Sequence, residues 1–246
     1  VRILASLDAS ATLIILSQVP PGFTRQVTFD AKRLYYQVET LIFGRALERA
    51  TLPERFIIGC ADPAMPLPPP YREFLKVFGC PLLPMRYESA ELAKIAINCF
   101  LVASVSTTNT LAELSEGIAA DWAEIVPALR LDARIGPAAY LTPGLGIAGG
   151  NLERDLATVM RLGAREGTAT GVIGAYLESS RHMKDWAFRT VKRLVLDTVK
   201  TPRLGILGLA YKQDTHSTKN SPSLALIAQL GDVALKVHDP TVSPSM

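Results

Sequence analysis

The sequence has little cysteine, and its cysteines are too scattered for a metal site or a disulfide framework. Its 246 residues contain three, Cys60, Cys80 and Cys99, with no C-x-x-C pair and no histidine nearby. Structural zinc and a stapled secreted fold are therefore not expected, and a reducing cytoplasm is the natural interpretation. The three histidines are equally scattered, so no metal site is predicted.

The sequence also lacks a long apolar run and any block of one charge. The apolar stretch Ile95–Val105 is interrupted by Asn98 and Ser104, and it falls well short of the roughly 20 residues that span a bilayer. The 26 basic and 23 acidic residues are mixed along the chain and leave a net charge of +3. Neither a membrane nor a nucleic acid is expected as a partner, and no signal peptide is expected.

What is present divides into three regions. Residues 1–87 alternate short apolar runs with turns, which predicts the back half of a Rossmann-like parallel-sheet domain. Residues 88–200 predict a helical middle domain with a long connecting helix, and residues 201–246 predict the start of a second Rossmann-like α/β domain. The predicted strands are Thr12–Leu16, Arg33–Val38, Arg55–Gly59, Pro81–Met85, Leu204–Ala210 and Val233–Val237. The predicted helices are Tyr71–Phe78, one from Ser89 past Glu113, one capped by Asp121 and ending at Leu129, Leu152–Arg165, Ile173–Val199 and Ser221–Leu230.

A glycine-rich phosphate loop is missing from the first region. Nucleotide-binding α/β domains begin with a strand and such a loop, but no G-x-G-x-x-G precedes Thr12. Either the first region does not bind a nucleotide or its first half lies outside this sequence. The third region stops after one βαβ unit, which cannot bury both of its faces, so truncation is expected at both ends.

Two polar side chains share one face of an otherwise uncharged helix. Lys94 is the only charged residue between Glu91 and Glu113, and Asn98 follows it by one turn. A buried ammonium needs a partner, whereas the alternative is a lysine that snorkels to the surface. Glu39 follows a predicted strand, where it is either a functional carboxylate or a surface one.

The segment Gly144–Gly150 contains four glycines in seven residues and precedes a helix. Glycine lets the backbone approach a ligand closely, and Arg154 would lie in the first turn of that helix. A plain linker is the alternative, but it needs fewer glycines. We favour a ligand-binding loop.

Five collinear segments carry a family resemblance. They are Ser17–Gly22 (Ser-Gln-Val-Pro-Pro-Gly), Val38–Leu41 with Gly44 and Ala46, Ser89–Leu101 (Ser-Ala-Glu-Leu-Ala-Lys-Ile-Ala-Ile-Asn-Cys-Phe-Leu), Asp132–Gly136 with Tyr140–Gly144, and Leu207–Lys212 with Thr215 and Ser221–Pro222. In order and spacing they resemble the UDP-glucose/GDP-mannose dehydrogenase family. The helix that contains Lys94 is the most specific of them.

The resemblance implies an organisation and a reaction. Residues 1–87 would be the C-terminal part of an NAD-binding domain, 88–200 a dimerisation domain, and 201–246 the start of a domain that binds the UDP or GDP sugar. The family oxidises the sugar C6 alcohol twice, consuming two NAD. A homodimer through the central helices is implied. This chain alone is expected to bind NAD weakly, because it has no glycine-rich turn.

The resemblance also implies site residues. Lys94 and Asn98 would stabilise a developing alkoxide, Glu39 would act as general base, and Asp155 would orient a water. The implied cofactor contacts are Ser17, Gln18, Arg154 and Lys219. The implied substrate contacts are Leu41, Arg134, Tyr140, Leu141, Gly146 and Lys212.

Several positions depart from the family pattern. The catalytic cysteine is absent, and Asn151 stands in its place when the positions are counted back from Asp155. Gln18 replaces a threonine, and Phe43 replaces a glutamate. Lys219 replaces an arginine, so the positive charge is kept but the bidentate guanidinium donor is lost. Two hypotheses remain: a fragment of an NAD-dependent nucleotide-sugar oxidoreductase, or a non-catalytic module for nucleotide-sugar binding or dimerisation. We favour the first, because Lys94, Asn98, Glu39 and Asp155 are all retained.

Overall fold

The computed structural model describes residues 4, 7–8, 10–39, 41, 44–148 and 150–242. The chain divides into two units, Val1–Ile97 and Asn98–Met246. Helix α3, Tyr87–Gly117, runs across the boundary. The α/β class that the sequence predicts is confirmed, with one sheet in each unit.

The first unit contains a four-stranded sheet whose strands lie in chain order. Its elements are β1 (Leu13–Ile15), β2 (Leu34–Gln37), α1 (Ala46–Thr51), β3 (Phe56–Cys60), α2 (Pro69–Lys76) and β4 (Leu82–Arg86). The pairs β1–β2 and β3–β4 are parallel, whereas β2–β3 is antiparallel. The four strands lie where they were predicted. Helix α1 was not predicted, because six residues are too few to show a helical period.

Successive side chains of the central strands β2 and β3 point to opposite faces of the sheet and form a hydrophobic core on each face. Leu34 and Tyr36 of β2 pack with Ile57 on one face, while Tyr35 packs with Ile58 on the other. Side chains in a strand point to opposite faces in turn, so strands covered on both sides are apolar throughout. All five residues of β3 are buried. The continuous apolar runs in the sequence follow from this double burial.

Helix α3 lies close against β3 at its first turn. A Cβ atom at Gly59 would lie 3.1 Å from the Cβ atom of Ala90 and 3.2 Å from the Cα atom of Tyr87. The Tyr87 hydroxyl donates to the Leu34 carbonyl at 2.8 Å. Glycine at position 59 therefore lets the helix and the sheet pack closely, and the start of α3 is fixed to the sheet.

A fully buried carboxylate joins α3 to the turn after β1. Glu91 accepts hydrogen bonds from the backbone N–H groups of Gly22 at 2.6 Å and Thr24 at 2.7 Å. Gly22 has φ +90°, a conformation that favours glycine. Because charge-assisted bonds to backbone N–H groups are strong, Glu91 fixes the turn that follows Ser17 and Gln18. This role of Glu91 was not predicted from the sequence.

We expect Glu91→Gln to lower the free energy of unfolding by about 2 kcal/mol, because the amide can accept from only one of the two buried N–H groups. Glu88→Gln is the matched control, since Glu88 lies on the same helix in an exposed ion pair with Arg25. The control should cost less than about 1 kcal/mol. Urea unfolding measures both changes, and equal costs would contradict the anchoring role of Glu91.

The second unit contains helices followed by a small parallel sheet. Its elements after α3 are α4 (Trp122–Leu131), α5 (Asn151–Glu166), α6 (Gly171–Lys184), α7 (Trp186–Val191), a π-helical turn (Lys192–Leu196), β5 (Arg203–Leu207), α8 (Pro222–Leu230) and β6 (Ala234–His238). Asp121 caps α4 by accepting from the Ala123 N–H, and Ser221 caps α8 by accepting from the Leu224 N–H. Both caps were predicted from the sequence.

The single helix predicted over Ile173–Val199 is wrong. It is divided at Asp185, and a π-helical turn follows α7. Arg189 of α7 donates to the His182 carbonyl at 2.8 Å and to the Glu113 carboxylate at 2.8 Å. Tertiary bonds of this kind hold α6 and α7 as separate helices. No glycine or proline marks the division, so the sequence pattern appeared continuous.

Helix α3 is long and apolar enough to cross a membrane by length and composition alone. Its polar side chains nevertheless have partners within the protein. The Asn109 side-chain oxygen accepts from the Gly144 N–H at 2.8 Å, and the Thr108 hydroxyl donates to the Tyr140 carbonyl at 2.8 Å. Together with buried Glu91, these bonds favour the core helix of a globular protein over a membrane span.

Candidate functional site

Two of the predicted catalytic residues meet in the interior of the second unit. The Nδ2 group of Asn98 on α3 donates to Oδ2 of Asp155 on α5 at 2.5 Å. Asp155 is 2% exposed and Asn98 is 7% exposed. Arg154 places its Nε atom 3.6 Å from Oδ1 of Asp155 and keeps much of its side chain in solvent. The pair is therefore a buried, charge-assisted hydrogen bond with a cation at its edge.

The hydrogen bond to Asp155 sets the orientation of the Asn98 amide. An ionised carboxylate only accepts hydrogen bonds, so the Asn98 amide must turn its NH₂ group towards it. The Asn98 oxygen is thereby directed away from Asp155. The arrangement holds an amide in one orientation within an apolar layer.

Cys99, the neighbour of Asn98, packs against the buried apolar cluster that includes Val102 and Leu156. Burial raises the pKa of the Cys99 thiol, and the Asp155 carboxylate raises it further. A nucleophilic cysteine needs the opposite shift, because the thiolate is the reactive form. Cys99 is therefore a poor replacement for the cysteine that the family pattern expects at position 151.

Three more of the predicted site residues lie at the N-terminus of α5. A Cβ atom at Gly150 would lie 2.7 Å from Cε and 2.8 Å from Nζ of Lys219, so this lysine lies directly against the glycine. Asn151, the first residue of α5, is exposed, and Arg154 follows in the same turn. Lys219 and Arg154, both predicted cofactor contacts, thus border the position of the missing thiol.

One ion pair and one hydrogen bond to Glu153 stabilise this part of the site. Glu153 accepts from Lys184 Nζ at 2.6 Å and from the Asn220 side-chain amide at 2.9 Å. Glu153 is also in the first turn of α5, so its charge is favoured there. These contacts join α5 to α6 and to the segment before α8. Lys219 is held near Gly150 by its neighbour Asn220.

The glycine loop before α5 is packed against α6. A Cβ atom at Gly146 would lie 2.5 Å from the Ser180 carbonyl oxygen, and the Ser180 hydroxyl accepts from the Ile147 N–H at 2.8 Å. Gly146 has φ +75°. Close packing therefore explains this glycine without a ligand. A substrate contact at Gly146 stays a prediction, and Gly149 lies outside the described residues.

The predicted substrate segment before that loop is held by its backbone. The Tyr140 carbonyl accepts from the Ser104 and Thr108 hydroxyls, and the Leu141 carbonyl accepts from Trp122 Nε1 at 2.8 Å. Leu141 is buried, whereas the Tyr140 side chain is half exposed. Backbone anchoring thus leaves the tyrosine ring free to contact a ligand.

Arg134, a further predicted substrate contact, is exposed. It forms a bidentate pair with Asp132, two residues before it, and its side chain is 89% exposed. Asp132 raises the pKa of Arg134, so the guanidinium is charged. Its role with substrate stays a prediction.

In the first unit, the predicted cofactor residues follow β1 and the predicted base follows β2. Because β1 and β2 are parallel, Ser17, Gln18 and Glu39 lie towards the same edge of the sheet. Glu39 is exposed and accepts from the N–H of Leu41, which is itself 46% exposed. Phe43 lies outside the described residues.

Lys94 is half-buried on α3. This partial burial does not distinguish a buried, paired ammonium from one that snorkels to the surface, because the side chain is neither fully exposed nor enclosed.

A cleft of about 720 Å³ lies at the carboxyl ends of β5 and β6. Its lining includes Lys212, Thr215, His216 and Asp239. The carboxyl ends of parallel strands are where open α/β sheets bind ligands. Lys212, whose Nζ atom lies 5.7 Å from the Tyr211 ring centroid, is the predicted substrate residue in this cleft.

Asp239 lies at the end of β6 and was not among the predicted site residues. Its carboxylate accepts from the backbone N–H groups of Leu209, Thr241, Val242 and Ala210, and these bonds hold its pKa well below the usual range. The dipeptide Asp239-Pro240, directly after a strand, is the feature of the sequence that could have identified this residue.

Two models of one family match this chain. Residues 88–182 match the central domain of the UDP-glucose/GDP-mannose dehydrogenase family, and residues 205–246 match its UDP binding domain. UDP-glucose 6-dehydrogenase TuaD of Bacillus subtilis is 29% identical over 70% of this chain and 37% of its own length. UDP-glucose 6-dehydrogenase 3 of Arabidopsis thaliana is 27% identical over 98% of this chain and 54% of its own length.

A solved structure agrees with these matches. A UDP-glucose dehydrogenase from the hyperthermophilic archaeon Pyrobaculum islandicum superposes with a TM-score of 0.80 at 28% identity, covering 93% of this chain and 54% of that one. This chain thus spans about half the length of these relatives or less. The motifs, the fold and both family models agree, and the chain belongs to the UDP-glucose/GDP-mannose dehydrogenase family.

Proposed function

We propose that this chain is part of an NAD-dependent dehydrogenase that oxidises the C6 alcohol of a UDP- or GDP-sugar. The observation that carries the proposal is the buried pair of Asn98 and Asp155. A buried carboxylate is costly, and a chain that needed only a stable core would be served as well by apolar residues. Family membership supports the same reaction class.

In the proposed reaction, the C6 hydroxyl loses a proton and the C6 carbon loses a hydride. Glu39 takes the proton directly or through a water, and its exposure lets it pass the proton to solvent. The Lys94 ammonium and the Asn98 amide stabilise the negative charge that develops on the oxygen. Asp155 holds the Asn98 amide in one orientation, which keeps this donor preorganised.

NAD, when bound, supplies the acceptor for the hydride. Ser17, Gln18, Arg154 and Lys219 are the residues of this chain proposed to contact it. The two cations would suit its phosphates, and Lys219 already lies against Gly150 at a helix N-terminus. This sequence has no G-x-G-x-x-G before Thr12 to hold the pyrophosphate. The chain by itself therefore offers only part of a cofactor site.

The rival proposal is a non-catalytic nucleotide-sugar-binding module. It is favoured by the absence of a thiol at position 151, since Asn151 is exposed where a nucleophile would be needed. It also fits the raised pKa of Cys99. Binding of a nucleotide sugar is common to both proposals, whereas turnover distinguishes them.

The direct test is calorimetric titration of the chain with UDP-glucose and with GDP-mannose. We expect one of them to bind, and Lys212→Ala to weaken that binding about tenfold or more, because a charge-assisted contact to phosphate is lost. Lys236→Ala is the matched control, since Lys236 is exposed on β6 and does not line the cleft. If neither nucleotide sugar binds, or if both alanine variants bind like the wild type, the proposed use of this cleft is refuted.

A homodimer is also proposed, through α3 in the central region. Several large apolar side chains of this helix are exposed and lie on one side of it, since they are separated by close to whole helical turns. They include Leu92, Phe100, Leu111 and Leu114, and Phe100 is 79% exposed. Such a stripe matches the seam of packed helices. A second copy of the chain would cover it.

A further inference from the structure

The β5–α8–β6 unit contains the two kinds of group that a dinucleotide-binding βαβ unit offers to its ligand. One is a set of backbone N–H groups in the turn after the first strand, which holds a pyrophosphate. The other is a carboxylate at the end of the next strand, which binds a ribose hydroxyl. Here the turn after β5 supplies the N–H groups of Leu209 and Ala210, and the end of β6 supplies Asp239.

In this chain the two groups are bonded to each other. Oδ2 of Asp239 accepts from the Leu209 N–H at 2.6 Å and from the Ala210 N–H at 3.1 Å. Oδ1 accepts from the N–H groups of Thr241 at 2.7 Å and Val242 at 2.8 Å. The N–H groups of the turn already have an anion, and the carboxylate has no oxygen without donors.

The N-terminus of helix α8, which follows this turn, is also unavailable to a phosphate. In a dinucleotide site the helix begins directly after the glycine-rich turn and points its N-terminus at the phosphates. Here α8 begins only at Pro222, and the Ser221 hydroxyl already caps it. Gly208 has φ +92°, and a Cβ atom there would meet nothing within 4 Å, so this glycine serves the turn and not a close approach.

We propose that Asp239 determines the specificity of the C-terminal cleft by occupying the place of a pyrophosphate. The cleft then recognises phosphate only through side chains such as Lys212, and it rejects a dinucleotide at the β5 turn. The inference rests on the proposed function only in taking a nucleotide sugar as the natural ligand. The proposal excludes binding of the NAD pyrophosphate to the backbone N–H groups of this turn.

The test is NMR of the ¹⁵N-labelled chain titrated with inorganic pyrophosphate. In the wild type, the Leu209 and Ala210 amides should not respond. In Asp239→Asn, which loses the charge at nearly constant shape, both amides should shift with pyrophosphate and exchange with solvent about tenfold faster or more. Thr241→Val is the control, because it removes the hydroxyl bonds to Asp239 and to the Thr215 carbonyl but keeps the Asp239 charge and its bonds to the backbone N–H groups, and it should behave like the wild type.

Two results would overturn the proposal: wild-type amides that shift with pyrophosphate, or a folded Asp239→Asn variant whose amides do not. Asp239→Ser, with a small neutral acceptor, replaces the Asn variant if that does not fold, and the wild-type titration needs no variant. Because the probe is pyrophosphate, the result is independent of UDP-glucose binding. A failure of the proposed function would appear only in the nucleotide-sugar titrations.

Discussion

Asn151→Cys is expected to raise the yield of the intact protein from about one NADH per sugar towards about two, since oxidation of the aldehyde requires a covalent adduct first. A thiolate adds to the aldehyde carbon and gives a thiohemiacetal, from which a second hydride can leave to form a thioester. Water then releases the acid and restores the thiol. An amide side chain cannot form this adduct, so the wild type should either stop at the aldehyde or oxidise a hydrated aldehyde in a greatly slowed second step.

The surroundings of Asn151 favour the new thiol. It would lie at the first position of α5, near the Lys219 ammonium that rests against Gly150. A helix N-terminus and a nearby cation both lower the pKa of a cysteine. Cys99 lacks these advantages, because burial and Asp155 raise its pKa.

The measurement is NADH absorbance against sugar consumed at early times. Asn151→Ser is the matched control, because serine is small and polar but its neutral hydroxyl is a weak nucleophile, and it should remain near the wild-type ratio. Two NADH per sugar at a normal rate in the unmodified protein would show that another group replaces the cysteine.

Asn98→Leu is expected to lower the free energy of unfolding by about 3 kcal/mol, because it removes the Asn98 hydrogen bond from the buried Asp155 carboxylate. Asp155 is 2% exposed, and the Arg154 guanidinium lies 3.6 Å from it with much of its side chain in solvent. The same change should abolish turnover in the intact protein, since the amide is proposed to stabilise the alkoxide.

The double variant Asn98→Leu/Asp155→Leu separates the two effects. Replacing both members of a buried polar pair by apolar residues is often nearly neutral, so much of the lost stability should return while turnover stays absent. Urea unfolding of the two single variants and the double variant completes the cycle. An Asn98→Leu cost below about 1 kcal/mol would mean that the carboxylate finds another donor.

Comparison of the predicted and observed helices shows what periodicity can indicate. Helix α3 was predicted because apolar residues recur along it, and Asp121 and Ser221 were recognised as caps. These signals are local, since they depend on neighbours within a few residues. The division of the predicted helix Ile173–Val199 at Asp185 has no local signal. It depends on Arg189 reaching Glu113, 76 residues away.

By itself, the sequence determined the strand positions, the family and the departures from its pattern, because these are properties of residue type and spacing. Only the tertiary structure decided which polar groups are buried together. Asn98 meets Asp155 across 57 residues, and Glu91 meets Gly22 across 69. Asp239 lies 30 residues from Leu209, whose N–H group it occupies. Hydrogen-bond partners of buried charges are chosen by the packing of separate elements, which no spacing along the chain records.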